Sequence, residues 1–236
     1  MTIAFMDMPT AASAALPHAG RRFAAFLFDM DGTLITSIDS ANRAWTRWAA
    51  MRGFDPAHVI SIMHGVRTVE TMKRLGVADP EAEAAWITRT EIEDTEGVVP
   101  IAGVAEFLAT IPAGRWAIVT SASRALAEAR LARAGIAVPP VLVTAEDVER
   151  GKPDPACFLL GAARLGVDPV RCLVLEDTLA GLAAADAAGA AGLAITVTHS
   201  HPIATAHPAI RDYRGLAVAA GADGLAIVRS GPHGAG

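Results

Sequence analysis

Apolar and polar positions change period several times along the chain, and each change marks a different kind of element. Residues 23–28 are an unbroken apolar run with the length of a strand buried on both faces. From Ser40 to Arg52 the period becomes helical: Trp45, Trp48 and Ala49 share one face, Arg43 and Arg47 lie off it, and Gly53 ends the run. Helical patterns continue over Pro56–Met63, Thr68–Leu75 and Pro80–Glu93, with no strand pattern before Pro100. Beyond that point strands are predicted at Trp116–Thr120, Pro140–Thr144, Cys172–Glu176 and Leu193–Val197. Helices are predicted between them at Arg124–Ala134, Pro155–Leu165 and Leu179–Ala188. Gly215–Ala219 reads as a last strand and Ala222–Val228 as a short closing helix. Strictly alternating strands and helices imply right-handed crossovers and a parallel sheet. The predicted fold is therefore α/β, a doubly wound parallel sheet with an inserted α-helical domain. Residues 1–20 are expected to be a flexible tail, 21–36 and 103–236 the core, and 37–102 the helical insert.

Composition narrows what such a fold can do. Of the 236 residues, 52% are hydrophobic, ample for a core of this size. The formal charge of −5 argues against a nucleic-acid partner, which needs a clustered basic surface; a single small anion remains open. Cys157 and Cys172 both lie in apolar surroundings and read as reduced core residues, which suits the cytoplasm. The alanine-rich stretch from Leu179 to Ala194 is broken by Asp186 and glycines, so no membrane span is expected. Near the start, Asp7 precedes an alanine-rich tract and Arg21 and Arg22 follow it, the reverse of a secretion signal.

The chemistry lies where the strands end. The first apolar run stops on Asp29, Asp31, Gly32 and Thr33, and two like charges so close are costly unless a cation or a proton lies between them. A carboxylate there can be a nucleophile, a second one can exchange protons, and a magnesium ion can hold both. In open parallel sheets ligands bind beyond the carboxyl ends of the strands. Those ends carry Asp29 and Asp31, then Thr120 and Ser121, then Glu176 and Asp177, with Lys152 in the loop after the Pro140–Thr144 strand. Such acids form a hard-oxygen site for Mg2+. The lysine is suited to pair with a nucleophilic carboxylate and an anionic substrate, and Ser121, at a strand-to-helix junction, is suited to phosphate oxygens. A phosphate ligand is implied. Read one at a time, the same residues have blander roles: a polar turn at Asp29–Gly32, a helix cap at Thr120 and Ser121, a solvated lysine, and first-turn acids at Glu176 and Asp177.

Taken in order, Asp29-Met-Asp31-Gly32-Thr33, Thr120-Ser121, Lys152-Pro153 and Glu176-Asp177 resemble the four motifs of the haloacid dehalogenase-like (HAD) phosphohydrolase superfamily, whose core is Rossmann-like. The resemblance implies that Asp29 attacks phosphorus to give an aspartyl-phosphate. Asp31 would protonate the leaving alcohol and then activate water. Ser121, with Thr120, would bind phosphoryl oxygens, and Lys152 would neutralise charge. Mg2+ would be held by Asp29, the Asp31 backbone carbonyl and Asp177, with Glu176 assisting. The position of the insert matches members with a small helical cap, which closes over substrate and excludes water.

Within that group, Ile62–Thr68, Glu93–Gly97, Trp116–Ser121, Val143–Val148 and Gly151–Pro155 are most similar to sugar-phosphate and glycerol-phosphate phosphatases. The implied partner is a small phosphorylated metabolite, and the implied assembly a monomer or small homo-oligomer. His64 and Arg67 are candidates to touch substrate; His64 could equally cap backbone carbonyls, and Arg67 could be an ion-pair residue. Trp45, Trp48 and Trp86 are assigned to packing of the insert. A zinc site among His199, His201 and His207 is not supported by their spacing.

Three rival activities follow from the same resemblance. A beta-phosphoglucomutase-type isomerase would return phosphate to a sugar, but that family has a histidine near where this chain has Ala41. A dehalogenase would not need Asp31. A phosphonate hydrolase would need a lysine for a Schiff base, and Lys73 is the sole lysine of the insert. One departure stands out: many capped relatives carry an aspartate where this chain has Thr36.

Overall fold

The protein is described by a computed structural model covering residues 16–199 and 201–231. Its first strand, β1 (Ala25–Phe28), leads into the short β2 (Ile35–Thr36). Four helices follow: α1 (Ile38–Arg52), α2 (Pro56–Met63), α3 (Thr68–Arg74) and α4 (Pro80–Glu93). The chain then returns through β3 (Val99–Pro100) and α5 (Val104–Ala109) to β4 (Trp116–Val119), α6 (Arg124–Ala134), β5 (Leu142–Val143), α7 (Ala156–Arg164), β6 (Cys172–Glu176), α8 (Leu179–Ala187) and β7 (Ala191–Ile195). Three strands end the described chain: β8 (Ala209–Ile210), β9 (Leu216–Gly221) and β10 (Gly224–Arg229).

Six strands form one parallel sheet in the order β5-β4-β1-β6-β7-β8, the doubly wound arrangement that the alternation predicts. β1 is central and buried throughout. Its side chains alternate between the two faces: Phe26 and Phe28 pack with Phe107 and Tyr213, while Ala25 and Leu27 join Phe158 and Ala162. Burying each such phenylalanine contributes about 1.5–3 kcal/mol.

The insert has an apolar centre of its own, built from Trp45, Trp48, Val59, Met63, Met72 and Ile87. Trp48 stacks on Phe54 at 5.2 Å and donates through Nε1 to Glu83 Oε2 at 2.6 Å. Trp86 packs at its edge, as its helical spacing implies. The helix starts were legible: Asp55 and Asp79 each cap with a side-chain oxygen and are each followed by proline.

Several expectations are corrected. Ala222–Val228 is not a helix: β10 pairs with β9 as an antiparallel hairpin. Ala222 and Asp223 form its turn, and Leu225 and Ile227 alternate inward. The backbones of Leu225 and Phe23 exchange hydrogen bonds at 2.8 and 2.9 Å, so pairing partners far apart in sequence override a helix-compatible composition. The Gly215–Ala219 strand belongs to this hairpin, and the sixth sheet strand is β8. A strand does precede the end of the insert, since Val99–Pro100 pairs with Ile35–Thr36 and ties entry to exit. Of the expected tail, residues 1–15 lie outside the described residues. Leu16–Gly20 is not free: Leu16 packs on the core, and the His18 ring lies 2.9 Å from Gly192 O. Cys157 and Cys172 are both free and buried.

Candidate active site

Three of the predicted clusters sit at the ends of sheet strands β1, β4 and β6, and Lys152 reaches them from the loop after β5. Asp29 follows β1, with its backbone N–H donating to Leu175 O at 2.9 Å. The turn behind it needs Gly32, which has φ of 83° and no room for a Cβ beside the Asp177 carboxylate. Thr120 follows β4 and is held by Val143 O through its N–H at 2.9 Å. Glu176 ends β6, and Asp177 and Thr178 come next, Thr178 capping α8 by accepting from Gly181 N. Gly181 is required there because a Cβ would collide with Glu176.

Lys152 brings these ends together. Its Nζ donates to Asp29 Oδ1 at 2.6 Å, Glu176 Oε1 at 2.7 Å and Val119 O at 3.2 Å, and it lies 5.1 Å from the Phe158 ring centre. Burial alone would lower the lysine's pKa, but Asp29 and Glu176 outweigh it and hold the ammonium charged. Burial pushes the Asp29 carboxyl up to about 7; Lys152 draws it down, while Glu176 and Asp31 add to the rise. Asp177 is raised well above the usual carboxylate range, first by burial and then by Glu176 and Asp29.

That surplus of buried negative charge fits a cation. Asp29, Glu176 and Asp177 can offer oxygens within 4.8 Å of one another, an all-oxygen set of the kind magnesium takes. Asp177 Oδ1 is buried with no hydrogen-bond partner. Glu176 is otherwise engaged, since Oε1 takes Lys152 and Oε2 takes the Thr178 N–H and hydroxyl at 2.6 and 2.9 Å. Asp29 and Asp177 are thus the side chains with capacity left for a metal, and Glu176 braces the site from behind.

Asp31 faces a cavity of about 360 Å³ between the sheet edge and the insert. Asp29, Thr120, Ser121 and Asp177 line its core side, and Ala41, Trp45, Met63 and His64 its insert side. The insert closes tightly against the core: Ser121 Oγ lies 3.4 Å from Gly65 O, and a Cβ on Gly65 would come within 2.6 Å of Thr178.

Of the two insert candidates, His64 lines the cavity and Arg67 does not. Enclosure lowers the His64 pKa, with Asp31 raising it and Arg130 lowering it. Arg67 instead pairs with Glu70 and donates to the carbonyls of Ala145, Val148 and Glu149, at 3.4, 3.1 and 2.7 Å. Glu70 also accepts from Gly151 N at 3.4 Å, so the pair clasps the loop that carries Lys152. Lys73 is exposed, bonds to Glu81 at 3.3 Å and does not line the cavity.

Among the lining residues, four that hold the site acids were not sequence candidates. Ser37 and Arg130 hold Asp31, Glu91 holds Arg130, and His199 sets its Nε2 2.7 Å from Asp177 O. Two of them had a signal. Arg130 shares the buried face of α6 with Leu126 and Ala127, and Glu91 that of α4 with Ala84 and Ile87. A charged residue on an apolar stripe implies a buried partner.

The class of protein follows from comparison. The haloacid dehalogenase-like hydrolase family matches residues 23–189, and the chain belongs to that family. Among curated relatives it is 42% identical over 190 residues to hexitol phosphatase A of Escherichia coli K12, covering 77% of this chain and 87% of that one. It is 33% identical over 189 residues to glycerol-1-phosphate phosphohydrolase 2 of Saccharomyces cerevisiae, covering 74% and 75%. Among solved structures, CbbY from Rhodobacter sphaeroides in complex with phosphate superposes with a TM-score of 0.70 at 24% identity, over 81% of this chain and 95% of that one, a likeness of fold. Among the described residues no helix is long and apolar enough to cross a membrane.

Proposed function

We propose that this protein is a magnesium-dependent phosphatase that hydrolyses a small sugar or polyol phosphate through an aspartyl-phosphate on Asp29. The observation that carries the reading is the buried Lys152–Asp29 pair at 2.6 Å, opening on a cavity that Asp31 also lines. The relatives named above as hexitol and glycerol-1-phosphate phosphatases support the substrate class.

In the first half-reaction an Asp29 oxygen forms a bond to phosphorus as the bond to the ester oxygen breaks. Asp31 gives its proton to that oxygen, and the alcohol leaves. In the second, Asp31 takes a proton from water as the water oxygen bonds to phosphorus, and the Asp29–phosphorus bond breaks to release phosphate. Lys152 keeps charge balanced on Asp29, and Ser121 and Thr120 lie where phosphoryl oxygens would be bound. Asp29, Asp177 and the Asp31 carbonyl would hold the magnesium ion, which when bound offsets the surplus negative charge and polarises the phosphoryl group. The insert, residues 37–102, acts as a cap that turns on the β2–β3 ribbon and shuts out bulk water. Ala41 lines the cavity at the place where the isomerase family has a histidine, which favours water over a sugar hydroxyl as the acceptor. Asp31 in the cavity favours phosphorus over carbon as the site of attack.

The test is phosphate release from a panel of small phosphate esters, with and without magnesium, for the native protein and Asp29→Asn. Metal-dependent release from hexitol, glycerol or hexose phosphates, lost in the variant, is the expected result. No release from any ester would overturn the reading.

A further inference from the structure

Asp31 is anchored from outside its own motif. Its Oδ1 accepts from Ser37 Oγ at 2.6 Å and from Arg130 Nη1 at 3.0 Å, while Oδ2 accepts from no described residue. Arg130 is itself buried, 6% exposed, and its other amino group donates to Glu91 Oε1 at 3.2 Å. Glu91 is itself 4% exposed. A network of cap and core residues thus converges on one carboxylate oxygen. Arg130 Nε is buried without a partner, so the arrangement is not the cheapest way to fill this space. Apolar side chains of similar volume usually serve stability as well as a buried ion pair does.

The elements involved give the arrangement a direction. Arg130 stands on α6 of the core, Glu91 in the last turn of α4 and Ser37 at the start of α1, so the latter two flank the β2–β3 ribbon that joins cap to core. We propose that Arg130 is a positioning residue for proton transfer: with Ser37 it pins Oδ1 of Asp31 and leaves Oδ2 free for substrate, and Glu91 of the cap holds Arg130 in place. The pinned geometry serves both half-reactions. A protonated Asp31 donates from Oδ2 while Oδ1 stays an acceptor, and the carboxylate later takes a proton from water on the same oxygen. Without Arg130 the carboxylate can rotate about its side-chain bonds, and a misplaced acid loses much of its effect.

This inference rests on the role given to Asp31 above, and a leaving-group series separates the two. The probes are aryl phosphates of one size, from p-nitrophenyl phosphate, whose leaving group needs no proton, to phenyl phosphate, whose leaving group does. The quantity read is kcat/KM, which ends at the first irreversible step. For Arg130→Met, kcat/KM on phenyl phosphate is expected to fall on the order of 10²-fold, with little change on p-nitrophenyl phosphate. Arg130→Lys recovers part of the loss, and Glu91→Gln shows a smaller loss with the same dependence on leaving group.

The double variant Glu91→Leu/Arg130→Met removes the buried pair together, so a melting temperature near native is expected while the steep dependence persists. An equal loss across the series, or a double variant with the native dependence, overturns the inference. If the double variant does not fold, the Glu91→Gln series alone decides, and an unchanged dependence there overturns it. Failure of the native protein to release phosphate from every ester would be failure of the functional reading instead.

Discussion

Lys152 Nζ lies 2.6 Å from Asp29 Oδ1 across 123 residues of sequence, and 2.7 Å from Glu176 Oε1. One buried ammonium therefore serves two buried carboxylates, at 2% side-chain exposure. Removing it leaves both acids uncompensated. Lys152→Met is expected to abolish turnover and to lower stability by about 3–5 kcal/mol in metal-free buffer. Urea denaturation with and without magnesium checks this, and a metal-free stability equal to native would contradict it.

The unpartnered Asp177 Oδ1 and the raised pKa of its carboxyl suit a bound cation. Magnesium should raise the melting temperature of the native protein, by an amount equivalent to about 2.7 kcal/mol at a hundred times its dissociation constant. In Asp177→Asn the shift should largely vanish. Differential scanning calorimetry reads this independently of catalysis; an equal shift in native and variant proteins would rule Asp177 out as a ligand.

His64 and Arg67 stand three positions apart and should behave differently. His64 lines the cavity, so His64→Ala should change kcat/KM unevenly among polyol and hexose phosphates. Arg67 clasps the carbonyls of Ala145, Val148 and Glu149. Arg67→Ala should therefore weaken closure and lower kcat/KM for all substrates alike, by roughly tenfold if about 1.4 kcal/mol of closure energy is lost. A selective effect of Arg67→Ala would place it in contact with substrate after all.

Asp147 braces the same loop from below. It accepts from Arg164 Nη2 at 2.5 Å and from the Thr144 N–H and hydroxyl at 2.8 and 2.9 Å, and the Arg164 bond is the largest influence holding its pKa at about 2. The folded value lies below the unfolded one of about 3.9, so its stabilisation is complete above that pH and disappears as pH falls through the folded value. Asp147→Asn should cost about 1–2 kcal/mol near neutral pH. The gap between native and variant melting temperatures should narrow as pH is lowered below 4, and a gap independent of pH would show that the charge is not what stabilises the loop.

By itself the sequence determined the doubly wound sheet and the meeting of Asp29, Ser121, Lys152 and Asp177, and the reason is local. Period shows which runs are strands, and a parallel sheet must place the carboxyl ends of its strands on one edge. The Asp-Pro starts of α2 and α4 were legible for the same reason, since a cap and its helix are neighbours in the chain.

What joins elements across the molecule was decided only in three dimensions. β10 became a strand because Phe23 and β9 offered it partners, although its composition suits a helix. Arg67 turned away from the cavity because core carbonyls lay within reach. Arg130 and Glu91 each interrupt the apolar stripe of a helix with a charge. That they meet each other, and that Arg130 meets Asp31, depends on how α4 packs against α6. A stripe records that a side chain is buried, but only packing supplies the partner that makes burying its charge tolerable.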